Sequence, residues 1–407
     1  MTQKTAVAGN EGEKVRSDCR ITLEVRASGG VVVDLVSKVK SMYGERMTAL
    51  TKEVLSFFGI SHARVKIVDS GSLDFVLAAR LEAAVRKIFS GEEKEFLPPM
   101  LAENLYASQR DAFRFSRLYL PGNTPALMLN AGIHRPHGII LDLEDSVAPA
   151  KKEEARYLVR NALRQVNFYG SERMVRINPL PAGLEDLAVV IPHNVHVVLV
   201  PKAEDPDDLR LIERTIGEIL ARHGAEREVF LMPIIETALG VERAYELATA
   251  TPSVVAMAIG LEDLTADLGV SRTAEGTETF YARTRLVNAC KAAGIQPIDS
   301  VFSDVSDMEG LEENARRSRA LGFEGMGCIH PRQIGVIHKA FSPTPEEIEK
   351  ASRIMEAFRE AREKGLGVVS LGTKMIDPPV VKRAERIMLL AHRTGMVTGE
   401  KDDITLS

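Results

Sequence analysis

The chain has 407 residues, with 52 Lys and Arg against 57 Asp and Glu and a formal charge of -5, a length that suits a module of about 100 residues followed by a barrel of roughly 250 to 300. The near balance of charge, with no basic stripe interleaved with aromatics, excludes a nucleic-acid partner, and apolar runs such as VVAMAIGL fall far short of the ~18 residues of a membrane span. The N-terminus lacks the apolar core of a signal peptide, and three cysteines, Cys19, Cys290 and Cys328, without CxxC spacing suit a reducing compartment, so the expected location is cytoplasmic.

RITLEVR alternates and places Ile21, Leu23 and Val25 on one face, while GGVVVDLVS reads as the returning strand of a hairpin. Residues 41–58 put Met47, Leu50, Val54 and Phe58 at helical spacing, and HARVKIVD at 62–69 alternates again. Ser72 can then cap a helix carrying Leu73, Val76, Leu77, Leu81 and Val85. The order ββαβα predicts a small α+β domain over 1–92. Beyond Ile88, GEEKEFLPPMLAENLYASQRD loses periodicity and carries charge and two prolines, which predicts an exposed linker over 93–110.

From 111 to 407, short apolar runs alternate with amphipathic helical stretches: RLYLPG, GIILDLED, MVRIN, VHVVLVPK, VFLMPIIE, VVAMAIGLED, IDSVF and EGMGCIHP. Near-continuous Val, Ile and Leu predicts strands covered on both faces, and eight βα units predict a closed (β/α)8 TIM barrel rather than an open doubly wound sheet. After His330 the pattern is helical. TPEEIEKASRIMEAFREAREKG takes Thr344 as cap and Pro345 as the first helical residue, and a second helix follows MIDPPVV, giving a C-terminal helical tail from about 340 to 407.

Almost every predicted strand of the barrel ends in a polar signature: Asn123; then Asp142, Glu144 and Asp145; Arg176 and Asn178; Lys202 and Glu204; Glu236; Glu262 and Asp263; His330. In a barrel these side chains converge on the C-terminal rim, where such enzymes assemble their sites. Glu236 and Asp263 end neighbouring strands, and two carboxylates plus waters and ligand oxygens suit Mg2+; the alternative is that each caps the helix that follows. Arg176 can grip a substrate carboxylate in bidentate fashion or pair with Glu144 or Asp145. Lys202 can form a Schiff base, or stay protonated beside Glu204 and Asp205. His330 is a general base or a residue that shapes its loop by donating to backbone. Asp377, in KMIDPPVV, lies in an apolar docking segment where an acid invites a partner.

Taken together, RFSRLYLPGN, LDLEDSVAP, RMVRINPL, LVPKAED, PIIETALG, AIGLEDLTADLG and GCIHPRQ resemble the citrate lyase β-chain group of the HpcH/HpaI aldolase superfamily, over about 110 to 395. The resemblance implies a (β/α)8 barrel with Mg2+ on Glu236 and Asp263, Arg176 on the oxo-acid carboxylate, and Asp377 lent by a neighbouring subunit of an obligatory homo-oligomer. The catalytic set expected on this basis is Asp377, Arg176, Glu144 and Asp145, with substrate contacts from Arg176, Pro121, Gly122 and Asn123.

Residues 6 to 90, with AVAG near the start, resemble the citrate lyase γ chain, an acyl carrier protein. That family bears phosphoribosyl dephospho-CoA on a serine shortly after AVAG, and Ser17 in VRSDC best matches the position, with Ser72 as the competitor. Three departures from the family pattern, Phe115, Met326 and Gly372, mark places where contacts to such an arm or to CoA are expected to differ. The implied activity is Mg-dependent cleavage of a citryl thioester, on the carrier or on CoA, to oxaloacetate and an acetyl thioester, with a citrate lyase α chain needed to load citrate. Two alternatives stay open: a malyl-CoA or citramalyl-CoA lyase acting on free CoA thioesters, and a non-catalytic carrier scaffold in a larger lyase complex.

Overall fold

The computed structural model describes residues 4–363, 369–371 and 374–398. A four-stranded sheet comes first, built from β1 (Lys4–Gly9), β2 (Cys19–Val25), β3 (Val31–Ser37) and β4 (Ala63–Asp69), with α1 (Lys40–Phe57) between β3 and β4 and α2 (Asp74–Ile88) after them. Its strand order is β1-β2-β4-β3. The expected β2–β3 hairpin does not form. β2 pairs antiparallel with β4 from Cys19↔Asp69 to Val25↔Ala63, and β3 runs parallel to β4 on the far side. A full ladder with β4 occupies the edge of β2 that a hairpin would use, and the other edge is covered by β1, whose buried face is made of Ala6 and Ala8 and so shows little hydrophobic alternation in sequence. Ser72 does not cap α2: the N-cap is Leu73, without a side-chain cap, and the Ser72 hydroxyl instead donates to Asp69 Oδ1 at 2.7 Å.

The second sheet contains β5 (Ser116–Pro121), β6 (Gly138–Asp142), β7 (Glu172–Arg176), β8 (Val197–Val200), β9 (Phe230–Ile235), β10 (Ala256–Ile259), β11 (Gln296–Ile298) and β12 (Met326–Cys328). Neighbours pair in parallel, β12 pairs with β5, and a bridge between Asp299 and Met326 closes the ring. The expected eight-stranded α/β barrel is therefore present. Ile140, Met174, Leu199, Met232, Ile234 and Ile298, with Tyr119 against them, fill its interior, while alternate residues such as Leu118, Leu141 and Val175 are buried beneath the surrounding helices. The first helices after β5 are α3 (Pro125–Met128) and, beyond β6, α4 (Lys152–Gln165).

The small domain is docked on the barrel through α2 and α4. Arg160 of α4 donates to both oxygens of Glu82 at 2.9 and 2.7 Å, with both side chains fully buried. Across the same contact Glu154 accepts from Lys87 at 2.8 Å and lies 3.6 Å from Arg80, which Asp18 of its own domain holds at 2.9 and 2.8 Å. Segment 93–110 is not a free tether. Arg164 donates to Pro98 O, Leu101 N–H donates to Arg164 O, and the buried Asn104 amide donates to Leu163 O and Val166 O. A stretch without its own ladder must find partners for its backbone groups, and the charged and amide side chains of α4 supply them.

At the C-terminus, Thr344 and Glu347 form a reciprocal capping box in front of helix Pro345–Glu363. β13 (Val369–Leu371) and β14 (Lys374–Ile376) pair antiparallel, and helix Pro378–Arg393 follows. This tail has its own small core of Ala351, Ile354, Met355, Ile376, Val381 and Ala384. Arg393 lies 4.3 Å from the centre of the Phe113 ring, at the N-terminal face of the barrel. Among the described residues no helix is long and apolar enough to cross a membrane.

Candidate active site

A cavity of about 890 Å³ opens at the C-terminal rim and extends into the barrel interior, lined among others by Tyr119, Pro121, Asp142, Arg176, Glu236 and Asp263. Glu236 follows β9 directly, and Asp263 lies in the first turn of helix Leu261–Asp267 after β10. Adjacent strand ends thus bring the two carboxylates to one wall. Glu236 is buried, and its Oε1 accepts from Lys202 N–H at 2.7 Å. Gly260 is required beside it, since a Cβ there would meet Glu236 Oε2 at 2.6 Å. Burial, with Glu144 and Asp263 adding repulsion, pushes the Glu236 carboxyl up to about 7.

The other acids around the cavity have cationic partners. Asp142 accepts from Arg176 Nε and Nη2 at 2.7 and 2.8 Å, Glu262 pairs with Arg272, and Asp299 pairs with Arg283. Among the described residues no basic side chain lies within ion-pair distance of Glu236 or Asp263. Two neighbouring, uncompensated carboxylates at the mouth of a cavity fit a divalent cation that takes its remaining ligands from water and substrate. Among the described residues no group of three or more His, Cys, Asp or Glu is placed to hold a metal ion, so the protein offers this pair and no larger cluster.

Arg176 is engaged within the protein. The ion pair with Glu144 or Asp145 expected from sequence is present, with Nη1 2.8 Å from Glu144 Oε2 and 3.6 Å from Asp145 Oδ2, and Asp142 is in addition a bidentate partner. The guanidinium also sits over the Tyr119 ring, 5.4 Å from its centre. Asp142 organises this corner, accepting in addition from the backbone N–H of Glu144 and Ser146. The sequence reading had Asp142 only as one rim acid among several; its buried place within a strand, two residues before Glu144, was the available signal. Glu144 is buried with its pKa raised by desolvation, and Asp145 is exposed.

Lys202 donates to Glu144 Oε1 at 3.2 Å. Partial burial alone would lower its pKa, but the hydrogen bond and charge of Glu144 outweigh that and raise it. The lysine therefore stays protonated, as weighed from sequence, although the acid responsible is Glu144 and not Glu204 or Asp205. His330 lines the cavity, yet its Nδ1 accepts from Arg332 N–H at 3.2 Å instead of donating to backbone. Pro121 reaches the cavity; Gly122 and Asn123 do not line it. The Asn123 carbonyl instead faces the small domain, with Arg80 Nη2 at 3.4 Å and Asn10 Nδ2 at 3.5 Å.

Ser17 lies on the loop that returns through Asp18 to this same contact. It is half-buried, adopts φ 54°, and donates its N–H to Ser70 O at 2.9 Å. Asp377 is the N-cap of the last helix, accepting from Val380 N–H at 3.2 Å, and does not line the cavity of its own chain. Phe115 directly precedes β5 and Met326 begins β12, both at the face opposite the rim. Phe115 packs against Phe113, His137 and Phe341, so neither departure touches the cavity mouth as expected; Gly372 lies outside the described residues.

A closed parallel barrel with an uncompensated acid pair above an interior cavity defines the class of barrel enzymes that assemble their site at the C-terminal face. Residues 116–331 match the family described as HpcH/HpaI aldolase/citrate lyase, and residues 3–88 match that described as malonate decarboxylase delta subunit. Over 293 residues the chain is 38% identical to citrate lyase subunit beta of Leuconostoc mesenteroides subsp. cremoris, covering 71% of this chain and 97% of that protein. It is 33% identical over 286 residues to the mitochondrial citramalyl-CoA lyase of Homo sapiens, covering 67% and 84%. The structure of the Mycobacterium tuberculosis protein CitE with magnesium, acetoacetate and coenzyme A superposes with a TM-score of 0.57 at 33% identity, covering 70% of this chain and all of that one. The chain belongs to the HpcH/HpaI aldolase/citrate lyase family; it is a carbon–carbon lyase with an acyl-carrier-like domain at its front.

Proposed function

We propose that the chain cleaves a citryl thioester to oxaloacetate and an acetyl thioester, with Glu236 and Asp263 holding Mg2+ and the front domain serving as acyl carrier. The observation that carries this reading is the pair of neighbouring carboxylates without a cationic partner, in a cavity where the other acids have one. When bound there, Mg2+ supplies Lewis acidity that lowers the substrate hydroxyl pKa and offsets the negative charge as the ketone forms.

The chain's own groups supply orientation and proton transfer. Arg176, held rigid by Asp142 and with Nη1 against Glu144, brings its positive charge to the cavity wall for a substrate carboxylate, and Glu144 keeps both Arg176 and Lys202 charged and in place. Asp145, exposed beside Arg176, takes the hydroxyl proton as the carbon–carbon bond breaks. The enolate of the acetyl thioester then receives a proton from Asp377 of a neighbouring subunit, directly or through water, which makes a homo-oligomer necessary for turnover.

Ser17 is proposed to carry the phosphoribosyl dephospho-CoA arm. Its loop meets the barrel at Asn123, the residue two after β5, so an arm rooted there starts beside the cavity mouth. A citrate lyase α chain is the proposed partner that loads the citryl group. The substrate assignment is checked by presenting citryl-, citramalyl- and malyl-CoA in Mg2+ buffer and following oxaloacetate, pyruvate and glyoxylate. Citryl-CoA is expected to turn over fastest; faster release of pyruvate or glyoxylate would move the chain to the other lyases of its family.

A further inference from the structure

Arg117, the second residue of β5, points into the barrel interior below Tyr119 and lines the floor of the same cavity. Its side chain is almost completely buried, 1% exposed, and among the described residues it has no carboxylate partner. Nη1 donates only to the sulfur of Met232, at 2.9 Å, and Nε is buried without any partner. The acid nearest in kind, Glu172, is held by Arg114 at 2.8 and 2.7 Å. A guanidinium in a dry interior without a counter-ion costs several kcal/mol, and a methionine or leucine would fill the space without that penalty.

Room for a ligand above it is built into the strands. Ala256 and Ala258 of β10 face the interior, and the small residues Ala258 and Gly327 line the cavity. The cavity thus has two carboxylates without cations at its mouth and one cation without a carboxylate at its floor.

We propose that Arg117 is an anion subsite that receives a second carboxylate of the substrate, the one that becomes the distal carboxylate of a 2-oxo dicarboxylic acid, while the metal-facing end is held at Glu236 and Asp263. This deepens the citryl reading and rests on it for the position of the metal. Fork-shaped guanidinium donors match a carboxylate, and a fragment ending in a methyl group or a hydrogen would leave the buried charge uncompensated. Selection for a dicarboxylic product follows from that penalty.

The test is calorimetric binding of oxaloacetate against pyruvate, and of malate against lactate, to the full chain in Mg2+ buffer, for the natural protein and Arg117→Met. The dicarboxylates are expected to bind the natural protein more tightly, and the preference is expected to fall on the order of 100-fold in the variant, with a melting temperature equal or higher because a buried charge is gone. Unchanged preference with a lower melting temperature would make Arg117 an interior strut and overturn the proposal. Should Arg117→Met not fold, Arg117→Lys keeps the charge but not the fork and is expected to lose about tenfold of the preference; unchanged preference there overturns it equally. Failure of the natural protein to bind any of the four acids would instead sink the metal-site reading, and the subsite with it.

Discussion

Glu236 shows how a single side chain sets a condition on the whole reaction. Its pKa of about 7 lies above the ordinary 4.5, so in the metal-free protein the folded state holds a proton that the unfolded chain has released. Stability therefore falls as pH rises from 4.5 to about 7, by roughly 3 kcal/mol in all. A cation needs the charged form, so Mg2+ affinity is expected to be about tenfold weaker at pH 6 than at pH 8 and flat above that. Titration calorimetry at the two pH values checks this; equal affinities would show that Glu236 is not the titrating ligand. The positions of Glu236 and Asp263 were legible because strand ends in a barrel share one rim. The pairing of Arg176 with Glu144 was legible too, but its bidentate contact with Asp142 was not, since Asp142, Glu144 and Asp145 lie within four residues and only three-dimensional alignment chooses among them. Arg117 left a trace, a charge inside an apolar strand, but nothing in RLYLPG says whether that arginine faces solvent, a helix or the interior.

At the scale of elements, most barrel strands were readable because buried parallel strands leave Val, Ile and Leu runs; β11 (QPI) and β12 (MGC) leave none, and the expected strand IDSVF meets β11 only at Ile298. The order of the front sheet was not readable. Whether β3 folds back on β2 or crosses to the far edge of β4 depends on which edge pairs, and local alternation carries no such information. The packing of α2 on α4 was hidden for a related reason: nothing in the sequence around Arg80, Glu82 and Arg160 marks these charges as interior, yet they are fully buried. Breaking such a pair leaves one charge stranded. Glu82→Gln is expected to destabilise the chain by roughly 3 to 5 kcal/mol, while the paired change Glu82→Leu with Arg160→Met recovers most of it. Urea unfolding of the three proteins checks this, and a Glu82→Gln loss below about 1 kcal/mol would show the pair to be dispensable.

For the whole molecule, the docked front domain changes what a fused carrier means. An exposed linker over 93–110 would let the carrier swing, whereas the segment lies along α4 and the domain is fixed by buried ion pairs, with the Ser17 loop beside Asn123. Movement is then left to the arm itself. Peptide mapping by mass spectrometry of the protein from its natural source is expected to find a large adduct on the peptide containing Ser17; an unmodified Ser17 with a modified Ser72 would relocate the arm.

The central claim is that an acid pair holding Mg2+ performs the cleavage, and the most direct measurement of it follows oxaloacetate release from citryl-CoA after exhaustive treatment with EDTA and after return of Mg2+. Activity is expected to vanish and return in the natural protein, and to be lost and not restored in Glu236→Gln and Asp263→Asn variants that still fold. Full turnover in EDTA, or undiminished turnover by either variant, would contradict it.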